Sequence, residues 1–302
     1  MKGEELPVST FLGREDGTFE HGTANYDKRG IADEVPEWQP DMCIQCNQCA
    51  YVCPHAVIRP FLIDEEEMAK APEGMPTIKA LGRGMNDLNY KIQVSPLDCT
   101  GCSACVDVCP APRGKAIVMK PIQSQIERNE IEYTDYLFNN VSYKDKILGK
   151  NTVKGSQFAK PLFEFSGACA GCGETPYIKL VTQLFGERMI VANATGCSSI
   201  YGASAPSTPY TTAESGCGPA WASSLFEDNA EYGYGMFQAV NTIRHRILKR
   251  MNEIKSDVSI ELSDLFTLFA ENFDDGDKTT EIRDELVALM ENENSGNTNE
   301  KV

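Results

Sequence analysis

The residues most able to do chemistry in this sequence are its 12 cysteines, most of which are regularly spaced. The first group follows the pattern C-x2-C-x2-C-x3-C-P and consists of Cys43, Cys46, Cys49 and Cys53. A second group repeats that pattern, again followed by proline, and consists of Cys99, Cys102, Cys105 and Cys109. Three thiolates from one tight loop can wrap one corner of an iron-sulfur cube while the fourth points elsewhere. The two quartets therefore predict two [4Fe-4S] clusters.

The repeat is that of the bacterial two-cluster ferredoxins, in which the fourth cysteine of each motif ligates the other cluster. We expect one cluster to be held by Cys43, Cys46, Cys49 and Cys109. The other is then held by Cys99, Cys102, Cys105 and Cys53. A β-prone stretch follows each motif, at residues 57–62 and 116–119, which predicts a small pseudo-symmetric α+β fold. His55 follows Cys53-Pro54, and because both ligand sets are full we expect it at the surface or behind the ligands.

Zinc knuckles are the alternative interpretation of these motifs, because zinc also favours C-x2-C pairs and four sulfur ligands. Zinc sites rarely need the complete C-x2-C-x2-C-x3-C-P pattern twice over. A zinc-binding interaction module would be colourless, whereas iron-sulfur clusters absorb visible light.

Composition limits the class of protein and its partners. The 302 residues, 41% of them hydrophobic, exceed one average domain and predict two. A formal charge of -16 argues against nucleic acid or an anionic membrane as partner. We find neither a secretory signal pattern nor an apolar run long enough for a membrane span, so we expect the protein to stay in the compartment where it is made. Reduced, metal-binding cysteines suit such a compartment.

The pattern along the chain predicts four segments. Residues 1–35 have the composition of a linker from a missing upstream region, and residues 36–121 form the ferredoxin-type domain with its two [4Fe-4S] clusters. Residues 122–160 are polar and punctuated, as in an interdomain linker. We expect residues 161–302 to be the start of a second domain, of the α/β class.

The second domain contains another C-x2-C pair, Cys169 and Cys172, among small residues. We predict that a helix follows, with a buried stripe of Ile178, Val181, Leu184 and Phe185. A strand over residues 189–192 then leads to Cys197. Strand, helix and strand in this order favour an open, mostly parallel sheet, with Cys197 at the edge where such sheets bind ligands.

Four ordered blocks resemble the pyruvate:ferredoxin (flavodoxin) oxidoreductase family. The first block is the pair of ferredoxin motifs, and the other three are GACAGCGETPY at residues 167–177, NATGCSSIY at 193–201 and LFEDNAEY at 225–232. The resemblance implies a fragment that covers the two-cluster ferredoxin domain and the start of the thiamine-diphosphate-binding C-terminal domain. In this family pyruvate and coenzyme A give acetyl-CoA, carbon dioxide and two electrons, which [4Fe-4S] clusters pass to ferredoxin or flavodoxin.

The resemblance also implies roles for individual residues. It assigns a third [4Fe-4S] cluster to Cys169, Cys172 and Cys197, and it places Glu174 and Cys197 against thiamine diphosphate. Without it, Glu174 could be an acid favoured by the helix dipole. The family takes the fourth ligand of that cluster from a downstream segment that is absent here, which makes Cys217 a loop cysteine, with ligation by Cys217 the alternative. No catalytic residue is assigned.

Segments that in the family complete the thiamine and Mg2+ site are absent from this sequence, so we expect a fragment that is inactive alone and needs the remaining parts of the oxidoreductase. The resemblance further implies a homodimer in the cytoplasm of an anaerobe, or in a hydrogenosome-like organelle. The rival hypothesis from another class is a stand-alone polyferredoxin-like electron carrier.

Overall fold

The computed structural model describes residues 7–203, 207–224, 226 and 228–296, without the side chains of 292–296. The chain divides into two compact units, with the boundary between Asn229 and Ala230. This boundary lies far beyond the segment 122–160 that the sequence pattern suggests as a linker.

Two small antiparallel sheets form the centre of the first unit. One pairs β1 (Glu34–Trp38) with β5 (Ile117–Pro121). The other has the order β2-β4-β3, with strands Ile58–Ile63 (β2), Ile78–Lys79 (β3) and Asn89–Val94 (β4). Both β-prone stretches that follow the cysteine motifs are therefore strands, β2 and β5. They lie in different sheets, so each cysteine motif leads into its own antiparallel pair.

A short helix lies within each cysteine motif. These are α1 (Gln48–Val52) in the first motif and α3 (Ala104–Asp107) in the second. Each helix ends before the fourth cysteine of its motif. A proline follows that cysteine directly and disfavours a helical conformation at the cysteine. The fourth cysteine thus leaves the loop that holds the other three.

The segment between residues 122 and 160 is largely helical and packs against the ferredoxin-type core. Its helices are α4 (Ile122–Glu127), α5 (Glu130–Asn140) and α6 (Val153–Ser156). Tyr133 and Leu137 of α5 are buried against Phe61 and Ile63 of β2. The polar composition that suggests a connection comes mainly from the outer faces of these helices, although Gln125, Thr134 and Ser156 are buried. A further short helix, α2 (Glu65–Ala69), precedes β3 and begins with a capping box made by Asp64 and Glu67.

The segment before β1 is attached to the rest of the first unit by backbone hydrogen bonds. It contains two 3-10 turns, Val8–Phe11 and Thr23–Tyr26. Gly22 N donates to Tyr210 O over 2.6 Å, and Ala24 N donates to Thr208 O over 3.1 Å. Ala24 is fully buried.

The remainder of the first unit has a strand and helix order of the α/β type. It runs through α7 (Thr175–Phe185), β6 (Ile190–Asn193), α8 (Cys197–Gly202) and β7 (Ala220–Ser223). Strands β6 and β7 pair in parallel, with Ile190 opposite Ala220. The strand expected over residues 189–192 is confirmed with a shift of one residue, and the parallel pairing agrees with the predicted sheet type.

The predicted buried stripe of α7 is wrong. Val181 and Phe185 are 41% and 49% exposed, and Ile178 and Leu184 are only half-buried. The buried residues of this helix are instead polar, namely Thr175, Lys179, Thr182 and Gln183. Lys179 donates to Tyr51 O, and Gln183 bonds to the Gln157 side chain and to Ala159 O. Thr182 accepts from Leu162 N, while the buried Thr175 hydroxyl has no hydrogen-bond partner among the described residues. For Lys179, Thr182 and Gln183, hydrogen bonds rather than hydrophobicity therefore decide which face is buried.

The second unit consists of helices α9 (Asn229–Ile254), α10 (Ile260–Glu271) and α11 (Gly276–Gly296). Its core is a small apolar cluster between α10 and α11, formed by Leu262, Phe266, Ile282 and Leu286. Within the residues described above, no helix combines the length and apolar character needed to cross a membrane.

Candidate metal centres

The first cavity in the ferredoxin-type region is lined by four cysteines from both motifs. The cysteines are Cys43, Cys46, Cys49 and Cys109. Apolar side chains, among them Ile92 and Ile117, complete the wall. Three of the cysteines come from one loop, and the fourth comes from the end of the other motif.

The second cavity has the complementary arrangement. Its cysteines are Cys53, Cys99, Cys102 and Cys105. Val57 and Ile58 form part of its apolar wall. The structure therefore groups all eight cysteines in the crossed way that the repeat predicts, while their binding of iron stays a prediction.

Matching backbone conformations shape the two loops. Gln45 and Asn47 have positive φ angles of 56° and 62°, and Gly101 and Ser103, at the equivalent positions of the second motif, have 70° and 62°. Left-handed conformations at these positions turn the chain sharply between successive cysteines. Gln45 is stabilised in this conformation by its buried amide, which bonds to Lys79 O and Leu81 N over 2.7 Å each.

The tight turns direct backbone N–H groups at the cysteine sulfurs. Gln45 N donates to Cys43 Sγ over 3.4 Å, and Gly101 N donates to Cys99 Sγ over the same distance. The indole N–H of Trp38 is buried in the wall of the first cavity without a well-formed hydrogen bond, and it faces Cys43. Donors at these places favour negatively charged sulfur, which is the form that binds iron.

Burial makes the free thiols of these cavities weak acids. Loss of hydration raises the pKa of Cys99 to about 12 and also raises the pKa values of Cys49 and Cys105, where neighbouring cysteines add to the effect. Two cysteines of each motif are buried and two are half-buried. Four thiolates alone are therefore unfavourable in either cavity, and a positively charged partner would stabilise them.

Within the part of the chain that the structure describes, no group of three or more His, Cys, Asp or Glu side chains is close enough to hold a single metal ion. A cube with four irons binds one thiolate at each iron, so its cysteines surround a cavity instead of meeting at one point. The sulfur-only donor sets, the apolar walls and the N–H groups directed at sulfur together fit [4Fe-4S] clusters.

His55 connects the second cavity to the loop that carries Cys169 and Cys172. It lines that cavity and is 2% exposed, which corrects the alternative that placed it at the surface. Its Nε2 lies 2.9 Å from Ala168 O, directly before Cys169, and burial lowers the pKa of its imidazole. Gly171, in the turn between Cys169 and Cys172, is also close, since a methyl group added to it would lie 3.7 Å from Cys102 Cβ.

The third set of cysteines is more open. Cys169 and Cys197 are exposed, Cys172 is half-buried, and Cys172 N donates to Cys169 O over 3.1 Å. Glu174 is exposed and accepts a hydrogen bond of 3.2 Å from the Tyr201 hydroxyl, one turn after Cys197 on α8. Burial and the nearby Glu174 carboxylate raise the pKa of Tyr201. This bond joins the start of α7, which follows the Cys169–Cys172 turn, to the last turn of α8, which begins at Cys197.

Cys217 lies in an exposed turn. Its carbonyl oxygen accepts from Ala213 N over 2.8 Å, and its N–H group donates to the Ser215 hydroxyl over 3.4 Å. These local contacts form a surface loop.

Two buried cations that sequence reasoning missed attach the segment after residue 160 to the ferredoxin-type core. The Arg59 guanidinium of β2 bonds to the Glu164 carboxylate and, over 2.8 Å, to the Tyr143 hydroxyl. Lys179 of α7 bonds to three backbone carbonyl groups at the end of α1. The sequence signal for Lys179 is that it is the one charged residue within α7, which by itself does not identify a partner.

Two domain families match parts of this chain, and several longer proteins are similar to it in sequence. Residues 42–112 match the 4Fe-4S dicluster domain family, and residues 1–32 match a domain family of unknown function. The chain is 54% identical over 295 residues to the pyruvate-flavodoxin oxidoreductase of Klebsiella pneumoniae, and 53% identical over 302 residues to the pyruvate:ferredoxin oxidoreductase of Moorella thermoacetica. Each alignment covers 97% of this chain and 25% of the relative, so the chain spans about a quarter of their length.

Proposed function

We propose that this chain, which by sequence is homologous to one region of the pyruvate:ferredoxin and pyruvate-flavodoxin oxidoreductases, is the electron-transfer portion of such an enzyme. The observation that carries the proposal is the grouping of eight cysteines around two cavities, with each quartet drawn from both motifs. When bound, [4Fe-4S] clusters accept and release single electrons at low potential.

The residues of the chain have three tasks in this function. The eight cysteines of the two motifs provide the thiolates. The apolar walls exclude water. Fewer water molecules therefore have to reorient when a cluster gains or loses an electron. Gln45 N and Gly101 N stabilise negative charge on sulfur.

We further propose that the exposed loops at α7 and α8 contribute to a third cluster and to a thiamine diphosphate site. The accessible thiols of Cys169 and Cys197, the half-buried Cys172 and the exposed carboxylate of Glu174 support this. The Glu174–Tyr201 bond fixes the two loops relative to each other. The proximity of Gly171 to Cys102, which lines the second cavity, supports a third cluster next to that cavity.

In the complete enzyme, the substrates would be pyruvate and coenzyme A. Mg2+ would be a further cofactor, and ferredoxin or flavodoxin would accept the electrons. The other parts of the oxidoreductase would be obligatory partners, in a homodimer. A stand-alone polyferredoxin-like carrier remains the alternative, since the two quartets suit it equally well.

A chimera tests the proposal against this alternative. The chain replaces the aligned region of the Moorella thermoacetica protein, and pyruvate-dependent reduction of a viologen dye is measured without oxygen. We expect dye reduction that depends on both pyruvate and coenzyme A, and its loss in the same chimera with Cys99→Ser. A chimera that holds its full iron content yet does not reduce the dye would overturn the proposal and favour the stand-alone carrier.

A further inference from the structure

Lys179 is a deeply buried cation next to the cysteine quartets. The residue is only 1% exposed. Its side chain extends from α7 to the C-terminal end of α1. There its Nζ donates to the carbonyl oxygens of Ala50, of Tyr51 over 3.0 Å and of Cys53 over 3.2 Å. The contact joins the helix that follows the third cysteine pair to the helix inside the first motif.

The geometry identifies the group as an ammonium ion. Three carbonyl acceptors require three N–H donors, which only the protonated form has. All three acceptors are neutral carbonyls, so hydrogen bonding leaves a net positive charge. Other buried cations of this unit differ, because Arg59 faces Glu164 and Lys91 lies 3.8 Å from the Glu130 carboxylate.

The charge lies between the two quartets. Ala50 follows Cys49, which lines the first cavity, whereas Cys53 lines the second cavity. Lys179 therefore contacts the short stretch of backbone through which the two cysteine sets are connected.

A positive charge in this position acts on electron transfer through simple electrostatics. Each cluster gains one unit of negative charge on reduction, by one electron from the 2-oxoacid chemistry in the enzyme or from dithionite in the test, and no covalent bond changes. A nearby cation favours the reduced form, and burial strengthens this interaction because the local dielectric is low. We propose that Lys179 holds a positive charge near the two quartets. Its buried ammonium group raises the reduction potentials of the clusters that the quartets hold. This inference rests on the proposed function, since it requires those clusters.

Two substitutions separate this role from a purely structural one. Lys179→Met removes the charge and the hydrogen bonds, whereas Lys179→Gln removes the charge and keeps N–H donors. The full chain is reconstituted with iron and sulfide under argon and titrated with dithionite, with electron paramagnetic resonance as the readout. We expect both variants to lower the reduced-to-oxidised ratio at a fixed potential about tenfold, which is about 59 mV for a one-electron couple.

Lys160→Met is the matched control. Lys160 also donates to a backbone carbonyl, Thr212 O over 2.8 Å, but it contacts neither quartet, so we expect wild-type potentials. Wild-type potentials in both Lys179 variants would overturn the inference, as would loss of the iron from both, which would indicate a purely structural role. A wild-type chain that binds no cluster would instead refute the proposed function, and the iron content shows which of the two has failed.

Discussion

The imidazole Nε2 of His55 lies 2.9 Å from the carbonyl oxygen of Ala168, across 113 residues of sequence. One end of this hydrogen bond follows Cys53-Pro54 at the second cavity, and the other directly precedes Cys169. Because His55 is buried, the bond is shielded from water and fixes the loop of the third cysteine pair against the ferredoxin-type core.

Replacing His55 by leucine should loosen the Cys169–Cys172 turn. The substitution keeps an apolar side chain but leaves the Ala168 carbonyl without its donor, at a cost of about 1–3 kcal/mol. Hydrogen exchange followed by mass spectrometry should show faster exchange in residues 166–175. His245→Leu, at an exposed position of α9, is the control. Equal exchange in the two variants would mean that the bond does not fix the turn.

The crossed grouping of cysteines predicts which substitutions remove the same cluster. Cys53→Ser should abolish the paramagnetic signal that Cys99→Ser abolishes, and Cys109→Ser should match Cys43→Ser, because each pair lines one cavity. Spectra of the four dithionite-reduced variants check this, with Cys217→Ser expected to match wild type. Pairing of Cys53 with Cys43 would show that each motif holds its own cluster.

Removing the buried carboxylate at position 164 should destabilise the first unit. Glu164→Gln leaves the Arg59 guanidinium charged and buried between the rings of Phe138 and Phe165, whose centroids lie 4.2 and 5.2 Å from its Cζ. Loss of one partner of a buried pair costs about 3–5 kcal/mol. Urea unfolding followed by circular dichroism measures the effect. The control is Glu132→Gln, the same charge change at an exposed position, which should cost little. Equal urea midpoints for the two variants would contradict a stabilising Arg59–Glu164 pair.

Cluster assembly should accelerate with rising pH. Burial raises the pKa values of Cys49, Cys99 and Cys105, so these thiols are protonated near neutrality, and iron-sulfur ligation requires thiolates. Below the raised pKa, each increase in pH increases the thiolate fraction, so visible absorbance should develop faster at pH 8.5 than at pH 7. Reagents without protein correct for iron-thiol complexes at each pH. A rate that is independent of pH would show that deprotonation of these thiols does not limit assembly.

Sequence reasoning succeeded where chemistry is encoded in local spacing. The repeated cysteine motif predicts the quartets, because tight loops bring residues three apart to one cavity. The prolines after Cys53 and Cys109 likewise predict that the fourth cysteine leaves its loop. The strand after each motif follows from β-branched residues near Val57 and Ile117.

Sequence reasoning failed where a long-range polar contact overrides an apolar pattern. In α7 the apolar stripe predicts one buried face, yet Lys179 and Gln183 turn the opposite face toward the core, because carbonyl groups there need donors. Of the two positions expected for His55, the surface is wrong and the one behind the ligands agrees with its burial. Nothing local in the sequence reveals its partner, Ala168 O, which lies 113 residues away. The helices between residues 122 and 160 were missed because their polar outer faces dominate the composition.

The iron and acid-labile sulfide content of the anaerobically reconstituted chain tests most directly whether the two cavities hold [4Fe-4S] clusters. We predict at least about eight irons and eight sulfides per chain, the number for two cubes, with about four of each lost on Cys43→Ser and none lost on Cys217→Ser. A colourless preparation that contains zinc and no sulfide would contradict the account.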